Sequence, residues 1–289
     1  MVSAIITTHN RLELLKRAVQ SVYNQANVNI ELIVVDDGSS DGTQQWCIKQ
    51  KFKYIRIEPQ DSHGGNYARN LGIKNAIGEY IAFLDDDDYW LPDKTIKQIE
   101  LIKDKKCEVV FGGRILEIIN NGKPYFREDL PNKSLQGDMK TKILLRTCTT
   151  TTTMLTTKNI LEKVGYFDEN LKFWQEYELS MRLAQVSEFY FINQPVAVYR
   201  IDENDVSRLT NKFYGWLDAV NYIHNKHANL YTTLSLRNRL KSKGFIYREA
   251  YWRSKTARLT YAPLKYLVLS LLYSPSHTIS KAFSLLKKK

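Results

Sequence analysis

Over the first 111 residues, apolar runs rich in β-branched side chains alternate with stretches whose apolar positions recur every three or four residues. A run that is apolar throughout fits a strand buried on both faces, and the longer spacing fits a helix that covers it. The pattern therefore predicts βαβ units around a largely parallel sheet. Five strands are readable: Val2–Thr7, Ile30–Val35, Tyr54–Ile57, Tyr80–Leu84 and Glu108–Phe111. Between the first two, Leu12, Leu15, Val19 and Val22 share a helical face, with Asn10 placed to cap it. Further helices are predicted over Asn66–Asn75 and over Pro92–Asp104, where proline suits a first helical position.

After Gly112 the character changes. Arg114–Ile119 followed by Asn120–Asn121–Gly122 reads as one arm and the turn of a hairpin, and Thr149–Thr157 as a threonine-rich strand. Glu176–Gln185 reads as a helix, Phe189–Ile192 and Val196–Tyr199 as two strands, and from about Thr210 the pattern is helical. The predicted organisation is a body over residues 1–205, with halves at 1–111 and 112–205, and a helical appendage over 206–289.

With 289 residues, 43% of them hydrophobic, the chain can bury one α/β core and carry an appendage. Cys47, Cys107 and Cys148 are odd in number and in no paired spacing, which argues against a disulfide framework and against a zinc site. The start lacks the basic residues and long apolar centre of a secretory signal, so a cytoplasmic location is expected. The net charge of +11 alters the picture through its distribution. From Leu236 to Lys289 there are 13 basic residues against Glu249 alone, and the rest of the chain is close to neutral.

Ligands of such a sheet bind beyond the carboxyl ends of its strands, and four clusters of polar residues lie there. The first is Thr7–Thr8–His9–Asn10–Arg11, and the second runs from Asp36 and Asp37 through Gly38, Ser39, Ser40, Asp41 and Gly42 to Thr43. Adjacent carboxylates at a strand end can accept from a base N–H or a ribose hydroxyl, and an imidazole can stack on a base; Asp41, by contrast, reads as a turn or capping residue. The third is Asp85–Asp86–Asp87–Asp88 directly after an apolar strand. Four consecutive acids repel one another unless a cation or several donors offset them, and hard oxygen ligands without His or Cys point to Mg²⁺ or Mn²⁺ shared with a diphosphate. The fourth is Gly165–Tyr166–Phe167–Asp168–Glu169, followed by Gln175–Glu176–Tyr177–Glu178 opening a helix.

In this order, with Ala68–Arg69–Asn70–Leu71–Gly72 and Gly78–Glu79–Tyr80–Ile81–Ala82–Phe83–Leu84 between them, the segments resemble family 2 glycosyltransferases over roughly residues 2–205. The resemblance implies an A-type glycosyltransferase fold, Rossmann-like, with a mixed central sheet. It implies that Thr7, His9 and Asp37 contact the nucleotide base with Asp36 nearby, and that Arg69 steadies the base or the diphosphate. Asp85 or Asp86 would hold the ribose, and Asp87 with Asp85 the Mn²⁺ or Mg²⁺. Glu176 takes the position of the catalytic base, where the usual Glu-Asp pair is Gln175–Glu176. Glu178 lies elsewhere on the helix. Arg200 is a diphosphate partner, although the histidine of the family's Arg-x-His is here Asp202. The expected activity is inverting transfer of a hexose or N-acetylhexosamine from a nucleotide diphosphate sugar, UDP-linked by preference. The expected acceptor is a lipid-linked saccharide in O-antigen or capsule assembly.

In the tail, Leu264, Leu267, Val268, Leu271 and Leu272 form one apolar stripe, and Ile279, Ala282, Phe283 and Leu286 another. Pro263, Lys265 and Pro275 keep the first too short to span a bilayer, so the basic appendage is expected to lie on an anionic membrane surface, peripheral on the inner face of the cell membrane. The competing expectation is that these helices pack on the body or on a second subunit. Two other functions compete with this one. A sugar-phosphate nucleotidyltransferase calls for a glycine-rich phosphate loop after the first strand, which Thr8–Arg11 lacks. A basic nucleic-acid-binding protein calls for a recognisable motif, and none is present.

Overall fold

The computed structural model describes residues 1–148, 150–205 and 212–275. The chain forms two compact units, Met1–Lys140 with Cys148–Asn204, and Thr141–Thr147 with Asp205–Lys289.

The first unit opens with β1 (Val2–Thr8), α1 (Leu12–Tyr23), β2 (Ile30–Asp37), α2 (Thr43–Cys47), β3 (Lys53–Ile57), α3 (Gly65–Asn75), β4 (Tyr80–Asp85), β5 (Tyr89–Trp90) and α4 (Lys94–Lys105). It continues with β6 (Val109–Asn120), β7 (Lys123–Asp129), β8 (Leu155–Thr157), α5 (Lys158–Val164), α6 (Gln175–Leu183) and β9 (Phe189–Asp202). One sheet runs in the order β3-β2-β1-β4-β8-β6-β9-β5, with β7 hydrogen-bonded to β6. Strands β3, β2, β1 and β4 are parallel, so their carboxyl ends share one edge. The remainder is mixed: β8 is antiparallel to β4 and β6, β5 to β9, and β6 is parallel to β9.

The continuous apolar runs are buried as their composition requires. Val2, Ala4, Ile6, Val34, Ala82 and Leu84 enter one core cluster, closed by Leu15, Ala18, Val19 and Val22 of α1. On the other face α3 comes close to β1. A Cβ on Gly72 would lie 2.5 Å from Ile5 Cγ2, so only glycine fits without displacement. The Asn–Gly turn is present, with φ of 48° at Asn121 and 75° at Gly122, the left-handed pair that joins twisted strands in two residues.

Four local expectations are corrected. Asn10 has φ 54° and does not cap α1; its Oδ1 accepts from Ser40 N at 2.7 Å, and the Leu12 N–H donates instead to Asp41 Oδ2 at 2.9 Å. Pro92 lies in the turn before α4, where its carbonyl accepts from Ala26 N. Of the threonine run, Thr151–Thr153 is a 3₁₀ turn and only Leu155–Thr157 is strand; Thr149 lies outside the described residues. Thr150 and Thr153 cap each other across that turn, the local bonding by which hydroxyl side chains compete with a ladder. Phe189–Asp202 is one strand instead of two, its register shifting where Pro195 faces Gly113. Proline lacks the N–H that a regular ladder needs, so it sits at the irregularity.

The second unit contains a 3₁₀ turn (Lys142–Leu145), α7 (Phe213–Lys226), α8 (Ala228–Thr232), α9 (Leu236–Thr256) and α10 (Ala262–Tyr273). Helix α10 packs on α9 through Tyr247, whose ring meets those of Tyr266 and Tyr273. No helix among the described residues is long and apolar enough to cross a membrane. The stripe of Ile279, Ala282, Phe283 and Leu286 lies outside the described residues.

Candidate active site

The carboxyl ends of β1, β2 and β4 bring Thr7, Thr8, Asp36, Asp37 and Asp85 side by side, with Thr7 in register between Val35 and Asp85. The two adjacent acids of β2 part company. Asp36 is fully buried and saturated: Ser39 N donates to it at 2.8 Å, the Tyr54 hydroxyl at 2.7 Å and Arg56 Nη1 at 3.1 Å. Its carboxylate holds the loop after β2 and cannot reach a donor, which corrects its expected place among the donor-binding groups. Asp37 is half-buried, and its Oδ1 is buried with no hydrogen-bond partner. An unmatched buried acceptor costs free energy until a donor arrives, so Asp37 Oδ1 is placed to accept from an N–H or hydroxyl of a ligand. His9 is exposed beside it, its Nδ1 2.7 Å from the Asp37 carbonyl and its Nε2 3.0 Å from Asn10 Nδ2, so the ring is oriented from both edges.

The four acids from the end of β4 onward alternate. Asp85 and Asp87 are half-exposed, Asp86 and Asp88 buried, and Asp88 N donates to the Asp85 carbonyl to close a tight turn. Each has its own compensation. Arg69 Nη2 lies 2.6 Å from Asp85, and Arg11 Nη1 bridges Asp86 at 3.1 Å and Asp87 at 3.2 Å. Thr8 donates to Asp86 at 2.8 Å, yet burial pushes that carboxyl up to about 6. Asp88 accepts from the Thr152 hydroxyl at 2.5 Å and from Arg200 N at 2.9 Å, and burial together with Asp87 and Asp85 holds its pKa well above the ordinary carboxylate value. Buried Asp86 and Asp88 therefore brace the turn that presents Asp85 and Asp87. Among the described residues no group of three or more His, Cys, Asp or Glu side chains forms a metal cage. Two half-exposed carboxylates suit a divalent ion that takes its remaining oxygens from a diphosphate and water.

Arg69 is 7% exposed and spent on Asp85 and Asn66, with its guanidinium 5.7 Å from the Phe167 ring. It fixes Asp85 at the strand end where it was expected to steady the base or the diphosphate. One residue on, Asn70 exchanges hydrogen bonds with the Phe167 backbone and donates to Glu169 Oε1 at 2.8 Å. Arg182 of α6 donates to the carbonyls of Val164 and Tyr166 and makes a bidentate contact with Glu178, which is fully buried. Helix α6 is thus tied through Tyr166–Phe167 and α3 to the acid turn. Glu178 belongs to this brace, whereas Glu176 in the same first turn is half-exposed. Arg200 lies on β9 with Nη2 3.0 Å from Asp202, so the residue in place of the family's histidine neutralises the arginine. Arg11, to which the sequence pattern assigns no role, joins the acid turn, and its place in the opening Thr-Thr-His-Asn-Arg segment is the signal for it.

The sequence model of Glycosyl transferase family 2 matches residues 3–169, more than half of the chain. An uncharacterized glycosyltransferase of Rickettsia typhi is 31% identical over 206 residues, covering 70% of this chain and 64% of that protein. The putative teichuronic acid biosynthesis glycosyltransferase TuaG of Bacillus subtilis is 31% identical over 214 residues, covering 72% of this chain and 81% of that protein. Over a shorter stretch of 120 residues, 40% of this chain and 47% of the relative, identity reaches 40% with the Escherichia coli UDP-Glc:alpha-D-GlcNAc-diphosphoundecaprenol beta-1,3-glucosyltransferase WfaP. Among solved structures, S. aureus TarS 1-349 in complex with UDP-GlcNAc superposes with a TM-score of 0.56 at 18% identity, covering 96% of this chain and 92% of that one. The Pyrobaculum calidifontis mannosyltransferase PcManGT in complex with GDP-Man and Mn²⁺ gives 0.57 at 16% identity, covering 100% and 80%. At such identities the likeness establishes the fold, an A-type glycosyltransferase fold with a mixed sheet. The matched family, the relative that spans most of both chains, and the acid turn at the edge of the parallel strands agree: the chain belongs to glycosyltransferase family 2.

Proposed function

We propose that this glycosyltransferase is metal-dependent and inverting, and moves a hexose or N-acetylhexosamine from a UDP-sugar to a lipid-linked saccharide during assembly of a bacterial surface polysaccharide such as O-antigen or capsule. The observation that carries the reading is the unmatched Asp37 Oδ1 on the same strand edge as half-exposed Asp85 and Asp87, a base-accepting group beside diphosphate-side acids. Thr7 and His9 flank the base with Asp37, and Asp85, steadied by Arg69, takes the ribose. Asp87, with Asp85, would hold Mn²⁺ or Mg²⁺, which supplies positive charge to the departing diphosphate. Arg11, already paired with Asp86 and Asp87, and Arg200 add positive charge on the diphosphate side.

Glu176 takes the proton of the acceptor hydroxyl as its oxygen attacks the anomeric carbon opposite the leaving diphosphate, so one displacement inverts configuration. Glu178 is excluded from that role because Arg182 occupies both of its oxygens. The acceptor class is supported by TuaG, named for teichuronic acid biosynthesis, and WfaP, named for a diphosphoundecaprenol acceptor. Work at the inner face of the cell membrane follows from such an acceptor. A panel of nucleotide sugars tests the donor: the true one raises Tm in the presence of Mn²⁺ and not in EDTA. Protection by no nucleotide diphosphate sugar contradicts the proposal.

A further inference from the structure

Among the described residues, the helical unit buries a charge that it does not match. Arg248 of α9 is 7% exposed, its Nη1 is buried without a hydrogen-bond partner, and it takes part in no ion pair among the described residues. Its neighbour Glu249 acts on it only at a distance, and the guanidinium of Arg146 adds like charge. Ser242 Oγ donates to the Leu144 carbonyl at 2.7 Å, fastening the turn Lys142–Leu145, and with it Arg146, onto α9. Burial lowers the pKa of both arginines. A lysine so placed would shed its proton, but a guanidinium stays charged at any physiological pH. A buried charge without a partner is strongly destabilising, so the fold calls for an anion at this point.

Two further features say which anion. The planar fork of arginine matches the oxygens of a phosphate. Helix α10, packed on α9 through its tyrosines, turns Tyr261, Leu264, Val268 and Leu272 outward along one face, with Leu264 67% and Leu272 72% exposed. Lys265 lies on the same exposed side. Buried arginines whose forks match a phosphate, in a strongly basic unit that also carries an outward apolar helix, fit an anionic lipid surface.

We propose that Arg248 and Arg146 form a binding site for the phosphate of a membrane lipid headgroup, and that the outward face of α10 enters the same membrane surface. The site stands on the helical unit alone and holds whichever sugar is transferred and whatever the acceptor.

The test uses the full chain with two probes. In EDTA, which withholds divalent ions from Asp85 and Asp87, inorganic phosphate raises Tm of the unaltered protein but not of Arg248→Met. In flotation with phosphatidylcholine vesicles containing phosphatidylglycerol, Arg237→Met, an exposed control on the same helix, weakens binding by about 5-fold, the ordinary share of one surface cation. Arg248→Met weakens it at least about 10-fold more, as loss of charge-assisted hydrogen bonds requires. If Arg248→Met does not fold, Arg146→Met, at a less buried position, must show the same pattern. Phosphate protection with undiminished vesicle binding by the variants assigns the site to a soluble phosphate compound and overturns the lipid proposal. Absence of phosphate protection, with equal losses in Arg237→Met and Arg248→Met, overturns the site itself.

Discussion

Replacing Lys94 by methionine isolates the free energy of one buried lysine behind the acid turn. Lys94 is 1% exposed; its Nζ sits 4.3 Å from the centre of the Trp90 ring and donates to the Met154 carbonyl at 3.4 Å. Burial lowers its pKa from 10.5 to about 7. Above pH 7 the folded protein has given up this proton while the unfolded chain keeps it to about pH 10.4, so stability rises with pH across that window. At about 1.4 kcal/mol per pH unit for one proton, less the partial titration at each end, the gain from pH 7 to 10 is about 3–4 kcal/mol. Methionine has nearly the same length and no proton to lose, and tyrosines that titrate near pH 10 are common to both proteins and cancel in the difference. The assay is guanidinium unfolding followed by tryptophan fluorescence at pH 7, 8, 9 and 10. The unaltered protein should gain about 3–4 kcal/mol on Lys94→Met over that range. Parallel pH curves for the two proteins would refute the reasoning.

Asp87→Ala should abolish Mn²⁺-dependent protection by the donor sugar, and undiminished protection would remove Asp87 from the metal site. Glu176→Gln should slow transfer by about 10²–10⁴-fold with donor affinity unchanged, since a general base contributes on that order. Glu176→Asp should keep part of the rate. Glu178→Gln leaves half-buried Arg182 half-matched and should cost about 3 kcal/mol in denaturant unfolding, so an unaffected midpoint would contradict its bracing role. Gly72→Ala drives a methyl into Ile5 and should cost about 1–3 kcal/mol; a smaller loss would show that Ile5 yields.

Much of the first 111 residues was legible because their signals are local. Continuous apolar runs became β1, β2 and β4, helical spacing became α1, and Asn121–Gly122 made the turn that its left-handed preference dictates. What escaped depends on contacts distant in sequence. Asp36 and Asp37 read alike, yet β3 supplies Tyr54 and Arg56 to the first and no donor to Oδ1 of the second. The alternation within Asp85–Asp88 follows from a tight turn and from Thr152, which lies 64 residues from Asp88. The threonine run misled because β-branched composition argues for a strand, while hydroxyls that bond within the run and to Asp88 argue for a turn. Glu176 and Glu178 were separable as positions on a helix, but only Arg182 and the Val164–Tyr166 carbonyls show why the second is structural. In the tail, the apolar stripe was visible, whereas its outward orientation depends on which tyrosines pack α10 against α9.

The most direct test of single-displacement transfer is the anomeric configuration of the product. The donor identified by metal-dependent protection is incubated with a lipid-linked acceptor, and the new linkage is read from the one-bond and vicinal couplings of its anomeric proton by NMR. A linkage of configuration opposite to that of the donor is the predicted result. A product that retains the donor's configuration would contradict the roles given to Glu176 and to the acid turn.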